Sequence, residues 1–502
     1  MEVSSATGYP QDTITPKTDR ESERSVIHSS SDVEKQGQHA EQQLHRKLNS
    51  RHLQFVAIGG TVGTGIFIVS GSSVATAGPV GALLAYIFVA TLVYAVMLSL
   101  AEMSTYLPIP LTAAGLVIQW WNADLSIGIF ITIFWVPLTL VNFLPVDVFG
   151  EFEFWFSLLK VISLVGFWIF GICINAGVGQ QGYLGFKYYD SPGAFAPYLT
   201  DGPKAKFVAF WAVLIQAGFA FQGTELVAVG AGESANPRKT MPRAIRNTFW
   251  SIFLLFVFTI FFIGILVPYD NESLLLGNTN ASSSPLGLPH IINSVLLTVV
   301  FSAASSNVYS SSRVLVGLVE ENCAPRFVGL TTKRGVPYAA TAISVSMGLL
   351  AYMNLLSNGG EVFDWFLKIV SVAGFIAWSC VCICHLRFMN ALKAQNIDRD
   401  TLPYKSWGGR YLAWYGLTFY ATITLTQGFT AFVPWSTEDF FIAYISLILF
   451  AVLYIGHKVV TRSKFIQPIE ADLVTGAFHE EEAQTWEESP RSWWKKAMGS
   501  LS

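Results

Sequence analysis

The stretch FVAIGGTVGTGIFIVSG, residues 55–71, carries no charged side chain and places Gly59, Gly60, Gly63 and Gly65 within seven positions. Its apolar character reads as helix, yet each interior glycine costs a helix about 1 kcal/mol relative to alanine. The surrounding hydrophobic run, 54–77, is long enough to cross a hydrocarbon core of ~30 Å at about 1.5 Å per residue. A helix broken at that depth is tolerated where the freed backbone lines a cavity or is buried in protein. Unwinding frees N–H groups, and the half-helix that begins near Gly65 points its positive end at the gap, which suits a carboxylate. Close helix packing through the four-residue spacing of Gly59 and Gly63 is the competing reading. The residues alone leave the two even.

Working outward, the chain has 502 residues, of which 52% are hydrophobic and 13% charged, against roughly 25% charged in a soluble domain. That deficit excludes a soluble fold. A net charge of -3 gives no reason to expect a nucleic-acid partner, and no cleavable signal peptide is expected ahead of the first block. Hydrophobic spans are predicted near 54–77, 80–106, 127–145, 154–176, 207–231, 249–268, 289–319, 337–356, 362–385, 411–433 and 439–459. These define a transmembrane domain over 51–460, with a polar, disordered cytoplasmic tail at 1–50 and a second cytoplasmic tail at 461–502. The second tail ends in Trp493, Trp494, Lys495 and Lys496, a pattern that fits either a helix on the membrane surface or disorder.

Orientation follows from lysine and arginine, which are retained on the cytoplasmic side. Arg46, Lys47 and Arg51 place the first tail inside, and Lys458, Arg462 and Lys464 place the last one there too. Arg238, Lys239, Arg243 and Arg246 mark an inner loop; so do Arg326, Lys333 and Arg334, and then Arg387, Lys393, Arg399, Lys405 and Arg410. The loops near 268–288, 357–361 and 434–438 hold neither residue type and face outside. The first of them carries the acceptor sequons Asn271-Glu272-Ser273 and Asn280-Ala281-Ser282. Counting crossings requires one more span between Tyr106 and Ile127. Only Ile109–Trp121 is available for it, about 20 Å as a helix, so a full third span belongs there and this chain has part of it.

A second interruption, Phe219-Ala220-Phe221-Gln222-Gly223-Thr224-Glu225, lies within the span 207–231. Glu225 puts an ionisable group inside an apolar block, where such groups are costly and functional by default, with a buried helix-stabilising role as the alternative. The broken spans are the first and, counting the short one, the sixth, as in two five-helix repeats each led by a broken helix. Lys160 is the other expensive residue. A buried amine loses proton affinity and can bind and release a proton as its surroundings change, while snorkelling to the interface is an equal alternative. Glu102 reads as structural. Cys173, Cys323, Cys380, Cys382 and Cys384 lack metal-ligand spacing, and the last three scatter around a helix, so no metal or cofactor is expected, His385 notwithstanding.

Several ordered motifs resemble the fungal amino-acid permeases of the amino acid, polyamine and organocation (APC) superfamily. They are SRHLQFVAIGGTVGTGIF from Ser50, SLAEMSTYLP from Ser99, EFEFWFSLLKV from Glu151, FQGTELVAVGAGESANPRKTMPRAI from Phe221, FFIGILVPY from Phe261, LPHIIN from Leu288 and VYSSSRVL from Val308. The resemblance covers 48 to about 460 and implies an all-α inverted-repeat (5+5) transporter fold with broken first and sixth helices and two further helices. It also implies proton-coupled amino-acid uptake across the plasma membrane, with amino acids, protons and the lipid bilayer as partners. Carried over by motif, Gly60, Thr61, Gly63, Thr64 and Gly65 would cradle the substrate carboxylate, and Phe219 would be an aromatic gate. Gly223, Thr224 and Glu225 would meet the substrate amine or the opposing broken helix, and Lys160 matches the position of a proton-sensitive lysine in a related transporter.

The chain departs from that pattern after Tyr106-Leu107-Pro108, where the family continues for some forty residues and this chain passes to Leu111-Thr112-Ala113-Ala114, the look of the third span's end. A smaller loss, of about ten residues, falls near Ser284–Leu288. The leading expectation is a secondary amino-acid transporter. The alternative is a shortened relative that keeps the fold as an inactive protein or a sensor. A membrane-embedded enzyme is not expected, because the ionisable residues of the spans are scattered singly.

Overall fold

A computed structural model of the chain describes residues 50–63, 65–106, 127–178, 182–229, 237–271, 288–320, 323–332, 334–355, 359–432, 434–462 and 464–473. The short segment 109–121, nearly all of the first tail, the sequons beyond Asn271 and the chain from 474 onward lie outside the described residues.

Every regular element among the described residues is a helix. In chain order they are α1 (Ser50–Thr61), α2 (Ser70–Tyr106), α3 (Ile127–Asn142), α4 (Val146–Cys173), α5 (Pro203–Phe221), α6 (Leu226–Val229), α7 (Pro237–Leu266), α8 (Leu288–Glu320), α9 (Tyr338–Met347), α10 (Gly359–Ala394), α11 (Gly409–Thr426) and α12 (Thr437–Thr461). A π-helical turn, Gly65–Val69, leads into α2, which kinks at Gly78 (φ 75°) where Pro79 cannot continue the backbone ladder. The run Gln54–Met103 therefore holds two successive predicted spans. It is one of six helical runs long and apolar enough to cross a membrane. The protein is an all-α polytopic membrane protein.

The first segment of α2 after Gly78 is the central post. Ala82, Ala85, Tyr86, Val89, Ala90, Leu92, Val93 and Ala95 are all buried, and the alanines let α5, α7, α10 and α11 approach closely. The outer faces tell the opposite story. On α4, Trp155, Leu159, Ile162, Ile169 and Ile172 are exposed and line one stripe, and α12 exposes Ile448, Val452, Ile455 and Val459. An apolar stripe on a helix whose other face is packed is a lipid-facing surface.

Two boundaries differ from expectation for a physical reason. α4 begins at Val146, eight residues before the predicted Phe154, because Asp147, Glu151 and Glu153 look like loop and yet Glu153 is fully buried. The second tail is docked at its start: Leu473 packs with Phe388, Ala391, Leu392 and Leu402. Gln395 Nε2 donates to the Ala471 carbonyl at 2.6 Å and Arg387 Nη2 to that of Ile466 at 2.5 Å.

Glu102, at the end of α2, ties three distant elements together. Its carboxylate is buried and accepts from Arg399 Nε (2.6 Å) and Nη2 (2.9 Å), from Ser406 Oγ (2.6 Å), and lies 3.2 Å from His385 Nε2. His385 is thus engaged by a carboxylate, while Cys380, Cys382 and Cys384 are free thiols at differing depths. No group able to hold a metal occurs among the described residues.

Candidate substrate site

Both expected breaks are present. α1 ends at Thr61, whose Oγ1 bonds back to the Ala57 carbonyl at 2.8 Å, and Val62 and Gly63 leave the helix before the turn that starts at Gly65. The first N–H groups of a new helical segment have no intrahelical acceptor and are available to an anion. Thr64 lies outside the described residues. α5 ends at Phe221; Gln222 is extended (ψ 143°) and Gly223 has φ +98°, a left-handed backbone that only glycine adopts without strain. α6 then resumes the path at Leu226.

The breaks touch. A Cβ added to Gly223 would lie 3.0 Å from the carbonyl carbon and oxygen of Gly60 and 3.1 Å from the Thr61 nitrogen. One added to Gly65 would run into the Ala220 backbone, one on Gly60 into Leu226, and one on Gly63 would lie 2.9 Å from Ala303 Cβ. The helix is broken at these glycines, and they let the two unwound backbones meet. Gly60, Thr61, Gly63, Gly65, Gly223, Thr224 and Glu225 converge on one locus, with Phe219 half-buried one turn before the second break.

Glu225 sits buried at that locus. It accepts from Gly223 N (3.2 Å), Thr224 Oγ1 (3.5 Å) and Trp378 Nε1 of α10 (3.2 Å). These bonds hold the carboxylate across the second break. Gln222 anchors the same break to α10 by donating to the Val370 and Ser371 carbonyls at 3.0 and 3.1 Å. Neither Gln222 nor Trp378 is singled out by sequence reasoning. Gln222 had a usable signal, an amide among apolar residues beside the Gly223 break; Trp378 had none, since tryptophan is ordinary in a span.

Lys160 is fully buried and its Nζ donates to the Gly59 carbonyl, in the last turn of α1 before the break. That geometry is not snorkelling, which would carry the ammonium to an interface. Around the same turn lie Ser157, which donates to the Phe55 carbonyl at 2.7 Å, and the buried carboxyl of Glu153, which accepts from Ser302 of α8.

A polytopic helical protein whose two broken spans meet backbone to backbone around a buried carboxylate has the form of a membrane transporter. The family model for amino acid permeases matches residues 52–110 and 105–469. This chain is 38% identical over 516 residues to a lysine-specific permease of Saccharomyces cerevisiae, covering 93% of this chain and 84% of the relative. It is 38% identical over 509 residues to a basic amino-acid permease of that yeast (92% and 89% covered), and 34% identical over 499 residues to its proline-specific permease (88% and 79% covered). The chain belongs to the amino acid permease family and is an amino-acid transport protein of the fungal APC type; its relatives are permeases, not enzymes. The family match divides at 105–110. The alignment to the lysine-specific permease spans 516 positions with 93% of a 502-residue chain, so roughly fifty positions are gaps in this chain.

Proposed function

We propose that the chain takes up amino acids across the plasma membrane by proton-coupled alternating access, with a cationic amino acid such as lysine as its substrate. The observation that carries this is the contact of the two breaks, Gly223 against Gly60 and Thr61, because a locus made of two unwound helices changes shape when either half-helix tilts. In this reading Gly60, Thr61, Gly63, Thr64 and Gly65 bind the substrate carboxylate, Phe219 gates the site, and Gly223, Thr224 and Glu225 hold the substrate amine or the opposing break. The relatives named for lysine and for basic amino acids put cationic substrates first.

Lys160 is the coupling residue, since it bonds α1 in its last turn before the glycine break and a buried amine can change its charge as that bond is made and broken. Lys160→Ala is expected to keep lysine exchange in part and lose the response to an imposed proton gradient. Uptake of labelled lysine into reconstituted vesicles, with and without an acid exterior, checks it; unchanged gradient dependence in the variant would refute the role.

Both tails lie on the cytoplasmic side in this account, on the lysine and arginine pattern of the loops. A protease added outside intact cells is expected to leave tags on both ends uncut, and cleavage of either reverses the topology. A second reading, a shortened relative that is inactive or acts as a sensor, has the divided family match and the gapped alignment as its support. Counterflow separates the two.

A further inference from the structure

We propose that Glu153 is a proton-binding carboxyl that alternates with Lys160, so that the proton moved with substrate resides on Glu153; this rests on the proton-coupled reading above. Glu153 and Lys160 lie on α4, seven residues apart, and both reach Gly59 of α1 from the same side. Lys160 Nζ bonds the Gly59 carbonyl, and a Cβ at Gly59 would collide with Glu153 Oε1. Glycine at 59 is therefore what allows the carboxyl to lie against the α1 backbone.

The two oxygens of Glu153 are treated differently. Oε1 accepts from Ser302 Oγ, and Ser157 Oγ, whose proton goes to the Phe55 carbonyl, lies 3.5 Å away. Oε2 has no partner among the described residues, and neither has the buried Ser306 Oγ, the next serine along that face of α8, which neighbours the same carboxyl. A fully buried carboxylate with one oxygen unpartnered is costly, and a proton on the carboxyl removes the buried charge.

From α1 Glu153 meets Gly59, and from α8 the serines 302 and 306; Lys160 is the one charged neighbour among the described residues. The ammonium is committed to Gly59, and no ion pair between the two side chains is formed. When α1 tilts and the Gly59 carbonyl leaves, the ammonium's remaining partner is the Glu153 carboxyl. Pairing favours the ionised form, so the proton leaves Oε2; when α1 returns and reclaims Lys160, Glu153 binds a proton again. Because α1 ends in the substrate break, the same tilt changes substrate and proton sites together.

The test is an infrared pH titration of the full chain reconstituted in lipid, read at the carbonyl stretch of protonated carboxylic acids, alongside labelled-lysine uptake. The expected result is a titrating band that Glu153→Gln removes. Ser302→Ala and Lys160→Met should each move its midpoint to higher pH, because each removes a group that favours the ionised form. In uptake, the pH dependence, up to about tenfold per unit for a single proton, should vanish in Glu153→Gln while lysine counterflow persists. Absence of any band sensitive to position 153 overturns the proposal, and so does a Glu153→Gln variant with the unaltered pH profile. Gradient dependence lost in Lys160→Ala but kept in Glu153→Gln defeats this proposal alone; wild-type uptake indifferent to the gradient defeats the proton-coupled reading and this one with it. Should Glu153→Gln fail to insert, the midpoint of Ser302→Ala decides, an unshifted value counting against Glu153.

Discussion

Arg399→Ala is expected to destabilise the folded chain by about 3–5 kcal/mol, the cost of leaving a buried carboxylate without its charge partner. Glu102 is fully enclosed and its two oxygens take a forked pair of bonds from Arg399 at 2.6 and 2.9 Å. Arg399 also donates to the Ser406 carbonyl at 2.7 Å, and Ser406 Oγ returns to Glu102 at 2.6 Å. The connection between α10 and α11 is thereby pinned to the end of α2. Arg399→Lys keeps the charge and loses the planar fork, so it should fall between wild type and alanine. Thermal unfolding in detergent, followed by size-exclusion fluorescence, measures the order; an alanine variant as stable as wild type would show that Glu102 is held by Ser406 and His385 alone.

The second large effect concerns the breaks. Gly223→Ala forces a side chain onto a residue with φ +98° and pushes its Cβ to 3.0 Å from the Gly60 carbonyl. Strain of this kind costs on the order of 1–3 kcal/mol, and because the strained residue touches the other break, the cost is borne by the substrate site. Lysine binding should weaken about ten- to a hundredfold. Gly65→Leu, which drives a side chain into the Ala220 backbone, should abolish binding altogether. Membrane insertion should survive in both, since neither position faces lipid. Scintillation-proximity binding with a surface-expression control reads the result, and wild-type affinity in Gly65→Leu would remove the breaks from the site.

The breaks were legible in the sequence because glycines at Gly59, Gly60, Gly63 and Gly65, and a carboxylate at Glu225, violate what an uninterrupted span requires. Their mutual contact was not. Gly223 meets Gly60 through the fold, and no local pattern records a partner more than a hundred positions away. Lys160 was visible as an expensive residue, yet position alone could not separate an interface from the interior; its bond to Gly59 does. Glu153 was hidden by its neighbourhood. Asp147, Glu151 and Glu153 together imitate a polar loop, so the helix appeared to start at Phe154, and only the serines of α8 and the missing side chain at Gly59 make room for a carboxyl there. Glu102 read as structural from its place at a span's end, but its partners at 385, 399 and 406 are brought to it by tertiary packing.

Counterflow tests the central claim, that this chain moves amino acids through a site at the two breaks, most directly. Vesicles containing the full chain are loaded with unlabelled lysine and diluted into a trace of labelled lysine. The account predicts transient accumulation of label above equilibrium, lost in Gly65→Leu. Loading with lysinamide should give none of it, because the amide lacks the carboxylate that the N–H groups after the first break receive. Label that only equilibrates, at the rate of protein-free vesicles, would contradict transport by this chain, and accumulation as strong with lysinamide as with lysine would contradict the carboxylate site.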